Sequence, residues 1–365
     1  MMKLSLNHIN TLPMTTWNRL GVNDTNLAAE IAEVKPYTGK TLSDQLPENV
    51  QITDEIPVLP QIETGMGADV AKFVLENRSS GITVHVPAGV KAEQPIFLNY
   101  RLDSENPSVV DYNSIIAEEN SEVTVVMSYA SDESTAGFHG GCTKLYAQKN
   151  AVIHLIQVQL LNGNCVHFDD IGALTMENAT VDLVQAELGA ENALCGCRAK
   201  LEGKASSLNL ETIYFGDRKR SLDINYVAEH IGAKTTSEIH VNGALLDESK
   251  KTFRGTIDFV KGAKRAVGHE SEYNLMFSPK VRNKTIPLIL CAEEDVEGQH
   301  AASSGKIDES KLFYLMSRGL DELAAKKLII EAQFQPATDQ IPDESLRSAI
   351  SDYVVGRLNS IESLS

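Results

Sequence analysis

The 365-residue chain is poor in cysteine, in tryptophan and in positive charge. Its five cysteines, Cys142, Cys165, Cys195, Cys197 and Cys291, are too few and too scattered for a disulfide framework. They point to free thiols in a reducing, cytoplasmic compartment. Lys and Arg total 33 against 50 Asp and Glu, a formal net charge of -17. That balance argues against a nucleic acid or an anionic membrane as partner, since both are bound through basic surfaces. No run approaches the roughly 18 apolar residues of a membrane-spanning helix. The opening MMKLSLNHINTLPM lacks the apolar centre of a secretory signal.

Enzymatic signatures are missing as well. A phosphate-binding loop needs a glycine five places before Gly-Lys-Ser/Thr. Here Gly305-Lys306 is followed by Ile307, and His300 stands where the first glycine would be. Gly65-Met66-Gly67 lacks the third glycine of a dinucleotide fingerprint, and no His-Glu-x-x-His or Gly-x-Ser-x-Gly occurs. The chain therefore reads as a protein that binds no ATP itself.

What is present falls into three regions: 1–80, 81–298 and 299–365. The first is irregular, punctuated by Pro13, Pro36, Pro47, Pro57 and Pro60, with short helical pieces expected over 26–33 and 68–76. Trp17, the only tryptophan, is expected to anchor this region against the body. The second region alternates apolar and polar residues at period two. Val123, Val125 and Met127 share a face; so do Leu208, Leu210 and Tyr214, and Ile239, Val241 and Leu245. Turn signals such as Glu119-Asn120, Lys149-Asn150 and Glu177-Asn178 recur about every 14 residues. No helical pattern interrupts them, which excludes a doubly wound sheet. A rhythm of this length suits a mainly β solenoid, a β-helix with two strands per coil. Period two alone also suits a large antiparallel barrel or two sandwiches. The third region is helical. Asp308 or Ser310 caps a helix carrying Leu312, Phe313, Leu315 and Met316, ended by Gly319; further helices are expected over 321–334, stopped before Pro336, and over 343–358. The flanking regions are placed to cover the open ends of the solenoid.

Few residues carry recognisable chemistry. Cys195 and Cys197 point the same way on a strand, but no second ligand pair supports a zinc site, so they read as small strand residues. His154 reads as a core residue and His240 as part of a solvated face. His300 stands apart, in a junction between the last strand and the first C-terminal helix, behind Glu293, Glu294 and Asp295. His and Cys are natural ligands for soft metals, so His300, with Cys291 nine residues before it, reads equally as a metal-facing residue or as a capped loop histidine. Cys291 itself, at the end of a strand over 286–291, reads as a packed core thiol.

Residues 291–319, CAEEDVEGQHAASSGKIDESKLFYLMSRG, resemble the SufB/SufD family of the SUF iron-sulfur cluster assembly machinery. The most specific part is Leu312-Phe313-Tyr314-Leu315 followed by Ser317-Arg318-Gly319; Val86-Pro87-Ala88-Gly89-Val90 and Asn274-Leu275-Met276-Phe277-Ser278 support it. The resemblance implies a right-handed parallel β-helix between N- and C-terminal helical regions. It implies a non-enzymatic subunit that pairs SufB to SufD through the β-helices and holds a SufC ATPase on its C-terminal helical region. ATP-driven closure of SufC would then strain the pair and open its interface for cluster assembly. On that basis Lys311, Phe313, Tyr314, Arg318 and Gly319 are the expected SufC-contacting residues. Glu272 stands where SufB-type chains carry an assembly cysteine, and Asp295-Val296 with His300 fits the SufD-type pattern. The resemblance also implies that no cofactor is stably held, that iron or a cluster is transient at the subunit interface, and that the isolated chain can form a homodimer. Two other readings stand beside this one. A β-helix enzyme acting on polysaccharide would need clustered carboxylates, and Asp182, Glu187, Glu211 and Asp223 are scattered. A self-sufficient homodimeric cluster scaffold is disfavoured by Glu272.

Overall fold

Strands that alternate apolar and polar residues must bury one face, and this chain does so by coiling on itself. The computed structural model describes residues 1–43 and 46–362. Between Thr83 and Lys306 the chain winds into a parallel β-solenoid of about eight turns. Each turn adds one strand to a nine-stranded sheet and one to an eight-stranded sheet. Pairing runs from each strand to the next but one: Phe138 lies beside Val166, then come Asn192, Ser221, Lys250 and Arg282. The barrel and sandwich alternatives are thereby excluded, and the expected solenoid is present.

The turns explain the asparagines. Asn120, Asn150 and Asn178 sit at φ of 60°, 55° and 54°, the left-handed region that asparagine tolerates better than most residues. Their amides stack from coil to coil, Asn150 donating to Asn120 at 2.9 Å and Asn178 to Asn150 at 3.1 Å. Inside, the predicted rows hold: Val123, Val125, Met127, Leu208, Leu210, Ile239 and Val241 form one apolar column.

The flanking regions depart from expectation in an informative way. They cover the outer faces of the sheets more than the ends of the solenoid. Helix α1 (Ala68–Asn77) and an antiparallel hairpin of Met2–Ile9 with Thr25–Ile31 pack on the nine-stranded sheet. The piece expected as helix over 26–33 is thus mostly a strand, because Leu27 and Ile31 at period four also serve a two-residue repeat facing Leu4 and Leu6. Helices α2 (Glu309–Ser317), α3 (Glu322–Thr338) and α4 (Glu344–Glu362) follow the solenoid. Ile330 and Phe334 of α3 and Ile350, Val354 and Leu358 of α4 cover Ile156, Val158, Val184 and Phe215 on the outer face of the eight-stranded sheet. Pro336 does not stop α3 but lies in its last turns, where the missing N–H costs a single helical bond. At the N-terminal end of the solenoid, Tyr37, Leu42, Val50 and Ile52 pack against the interior column. At the C-terminal end no such cover is present among the described residues.

Trp17 does not anchor anything: it is 63% exposed. The anchor is Arg254, fully buried on the outer face of the nine-stranded sheet. Its guanidinium pairs with Asp223 at 2.6 Å and donates to the carbonyls of Val22 at 2.6 Å and Asp24 at 3.1 Å, pinning the N-terminal loop to the solenoid. Removing one partner of a buried pair leaves the other charge stranded, a loss of about 3–5 kcal/mol. Arg254→Ala is therefore expected to lower stability by about that amount, seen in urea unfolding, and to release the first 25 or so residues to limited proteolysis before the solenoid unfolds. Unchanged protease resistance would contradict this role.

Candidate functional site

The uncovered end of the solenoid is built from its last two strands, Arg282–Cys291 and Val296–Lys306. Each is the terminal strand of its sheet, so each leaves one side of its backbone unpaired. They are 10 and 11 residues long, and nearly every residue of the second is exposed. Long bare edges are ready templates for pairing with another chain.

His300 lies within the second strand and not in a junction loop, because the ladder with Ala266–Met276 continues to Lys306. It pairs in register with Glu270 one coil below. Glu270, Glu272 and Asn274 point into the solenoid, so His300 belongs to the same inward row, left open for want of a further coil. Asn283 donates to Ser304 at 2.6 Å, and Ile289 lies beside Gly298. That alignment sets His300 toward Pro287 and Cys291 toward Val296. Cys291 is exposed, its thiol donating to the Glu293 carbonyl at 3.0 Å, so the packed core thiol expected there is corrected. The cause is the same missing coil.

Beneath the rim is a polar cluster that the sequence did not announce. Lys251, fully buried, pairs with Glu272, which also accepts from the Tyr214 hydroxyl at 3.1 Å and from Thr285 at 2.5 Å. Burial draws the Lys251 amine down against the pull of Glu272. Glu270 sits beside this pair at Gly255, where a side chain would collide with its carboxylate. Burial first, and then repulsion from Glu272, push the Glu270 carboxyl up to about 8, against the attraction of Lys251. The alternating Glu-Ser-Glu of residues 270–272 was the one available signal, since period two puts both acids on the inner face.

Deeper inside, a second polar column crosses the first coils. His139 Nε2 meets Asp111 at 2.5 Å, and its Nδ1 meets His167 Nδ1 at 2.8 Å, the two rings stacked at 4.8 Å. Burial and the neighbouring ring hold His167 well below the usual histidine range, so it is neutral. The proton order that satisfies both contacts has His167 donating to His139 and His139 donating to Asp111. Cys195 and Cys197 point the same way and are buried, and burial raises both thiols. Among the described residues no set of three or more His, Cys, Asp or Glu is gathered as metal ligands. His154 is not in the core: it is half-buried on the outer face, held by Asp182 at 2.9 Å. His240 shares that face, donating to or accepting from Ser271 at 2.6 Å.

The expected partner-contacting residues lie on and just after α2. Asp308 caps it, accepting from the backbone of Ser310 at 2.9 Å and Lys311 at 3.3 Å, and Gly319 ends it at φ 98°. No residue of α2 is buried. Phe313 is 73% and Tyr314 56% exposed, with the Arg318 guanidinium 5.2 Å over the Tyr314 ring. A nine-residue helix without a buried face is marginal in water and gains its order from what covers it. No helix among the described residues is long and apolar enough to cross a membrane.

Residues 100–333 match the family model described as "SUF system FeS cluster assembly, SufBD core domain". The iron-sulfur cluster assembly protein SufD of Bacillus subtilis is 24% identical over 278 residues, 76% of this chain and 64% of that one. SufB of the same bacterium is 25% identical over 267 residues, 73% and 57%. A SufBD family protein of Staphylococcus saprophyticus is 26% identical over 267 residues, 73% and 57%. The chain thus spans less than two thirds of the length of these relatives.

The Glu270 carboxyl gives a pH prediction. Its ordinary value is near 4.5 and its folded value about 8. Between them the folded state holds a proton that the unfolded state has lost, so stability falls as pH rises through this window. Glu270→Gln removes that slope. The variant is expected to melt above the wild type at about pH 8.5 and to converge with it near pH 5. Parallel melting curves across this range would contradict the assignment.

Proposed function

This chain belongs to the SufBD family of the SUF iron-sulfur cluster assembly system, and we propose that it serves there as a non-enzymatic, cytoplasmic scaffold subunit of SufD type. In this reading it pairs with a SufB-type chain through its open solenoid end and carries a SufC-type ATPase on its C-terminal helices. Nucleic acid and membrane have no part in it. Iron or a nascent cluster is cargo at the paired interface and not a resident cofactor.

The observation that carries the reading is the pair of long bare strands at one end of an otherwise covered solenoid. Strand addition at such an edge supplies main-chain hydrogen bonds, and the side-chain rows supply specificity. His300 would then look into the junction between two solenoids. A neutral imidazole there can ligate a metal ion. Glu272 favours pairing with an unlike chain over a self-sufficient homodimer: it is occupied by Lys251, Tyr214 and Thr285 and offers no thiol. Phe313, Tyr314 and Arg318 form the ATPase contact, and the absence of buried residues in α2 supports that role.

The test is co-purification with SufB- and SufC-type chains, wild type against His300→Ala, followed by anaerobic reconstitution and iron analysis. Assembly is expected in both and loss of cluster yield only in the variant. Equal yields would reduce His300 to a bystander, and failure of the wild type to assemble would refute the pairing. Phe313→Asp is expected to abolish ATPase capture while leaving the melting temperature nearly unchanged, because the side chain is largely exposed in the isolated chain. Normal capture by that variant would place the ATPase elsewhere.

A further inference from the structure

The pairing proposed above concerns the edge strands, but the N-terminal loop beside them is built in a way that edge addition alone does not explain. Leu12 and Val22 pack on Ile286 and Leu288 of the edge strand Arg282–Cys291. Lys284 of that strand donates to the Leu20 carbonyl at 2.9 Å. Arg254 fixes the base of the loop from below, through Val22 and Asp24. Thr16 N–H donates to Asn23 at 2.8 Å, and Leu12 N–H to the Asn23 carbonyl at 2.8 Å. The loop is therefore tied down at several points next to the bare edge.

What it holds up is apolar. Met14, Trp17 and Leu20 are 57%, 63% and 60% exposed. Trp17 has φ 34° and ψ 55°, a left-handed conformation that costs a bulky residue roughly 1–2 kcal/mol. The indole is left mostly exposed in the isolated chain. The surroundings are basic in a chain of net charge -17. Among the described residues, Arg19 and Arg282 have no carboxylate partner, and Lys284 has only the Leu20 carbonyl. Tryptophan and arginine on a rigid support are the residues that dominate binding energy at interfaces.

We propose that this corner, Trp17 and Leu20 with Arg19, Arg282 and Lys284, is a second docking surface continuous with the edge strand. Its occupant is the paired solenoid subunit, which meets it with a carboxylate-rich, partly apolar rim beside its own last strand. The inference rests on the pairing proposed above. The geometry suits it. This chain leaves its edge strand through Glu293, Glu294 and Asp295, and the occupant proposed here is a subunit of the same fold with a like exit. Antiparallel addition of a second edge strand carries the corresponding exit of the partner toward Arg282 and Lys284.

The single tryptophan makes the test direct. With 5-fluorotryptophan incorporated, the full chain gives one fluorine resonance. Adding the unlabelled SufB-type chain is expected to shift it and remove its solvent-isotope effect. Trp17→Ser with Leu20→Ser is expected to weaken the pair by about tenfold or more, with the melting temperature of the free chain unchanged. Arg282→Glu is expected to slow association and flatten its salt dependence. If the pair forms with an unmoved resonance and undiminished affinity of the double variant, the corner is bare and this inference fails while the pairing stands. If the wild type forms no pair, both fail. A resonance that moves with the concentration of this chain alone would make the occupant a second copy and overturn the choice made here.

Discussion

Everything in this molecule follows from how a parallel solenoid ends. Each coil satisfies the backbone of the coil before it, so the last coil always leaves unpaired N–H and C=O groups on two strands. A chain meant to remain alone covers them. Here the N-terminal end is covered by residues around Tyr37 and Ile52, whereas no such cover lies over the C-terminal end among the described residues. The apolar material that would have served as a cap, α3 and α4, is laid against the side of the eight-stranded sheet instead. That choice leaves the end unsatisfied, and it is the end proposed above as the pairing edge.

The same missing coil sets the chemistry of the rim. His300, Cys291 and Ser304 occupy positions that in an interior coil would be buried. Glu270 and Glu272, one coil deeper, are buried already. The rim therefore grades from solvated histidine to a low-dielectric pocket with one compensating lysine. A partner that closes the end would complete the desolvation of His300 and lower the local dielectric around it.

Much of the fold was legible because it is repetitive. Period-two rows such as Val123, Val125 and Met127, and the recurring asparagine turns, each state the same structure many times over. Where only one copy of a signal existed, the reading failed. Residues 26–33 carry spacing that suits a helix or a strand, and only contact with Leu4 and Leu6 decides it. Trp17 looked like an anchor from its chemistry, while the anchor is Arg254, whose role depends on a loop 230 residues away. Cys291 alternates as a core residue should, but burial needs a following coil, which sequence periodicity does not report. His300, expected in a junction loop, lies in a strand, since a run of Gly, Ala and Ser carries little strand signal. Lys251 with Glu272 was not foreseen, because a buried pair between the two facing sheets has no fixed spacing along the chain.

The central claim is that the strands Arg282–Cys291 and Val296–Lys306 are the pairing edges. Amide hydrogen exchange of the full chain, alone and with the SufB-type chain, tests it most directly. In the free chain the outward-facing amides of both strands should exchange rapidly while those bonded to the coil below are protected. In the complex the outward-facing set should become protected as well. A stable complex in which those amides exchange as fast as before would contradict the account.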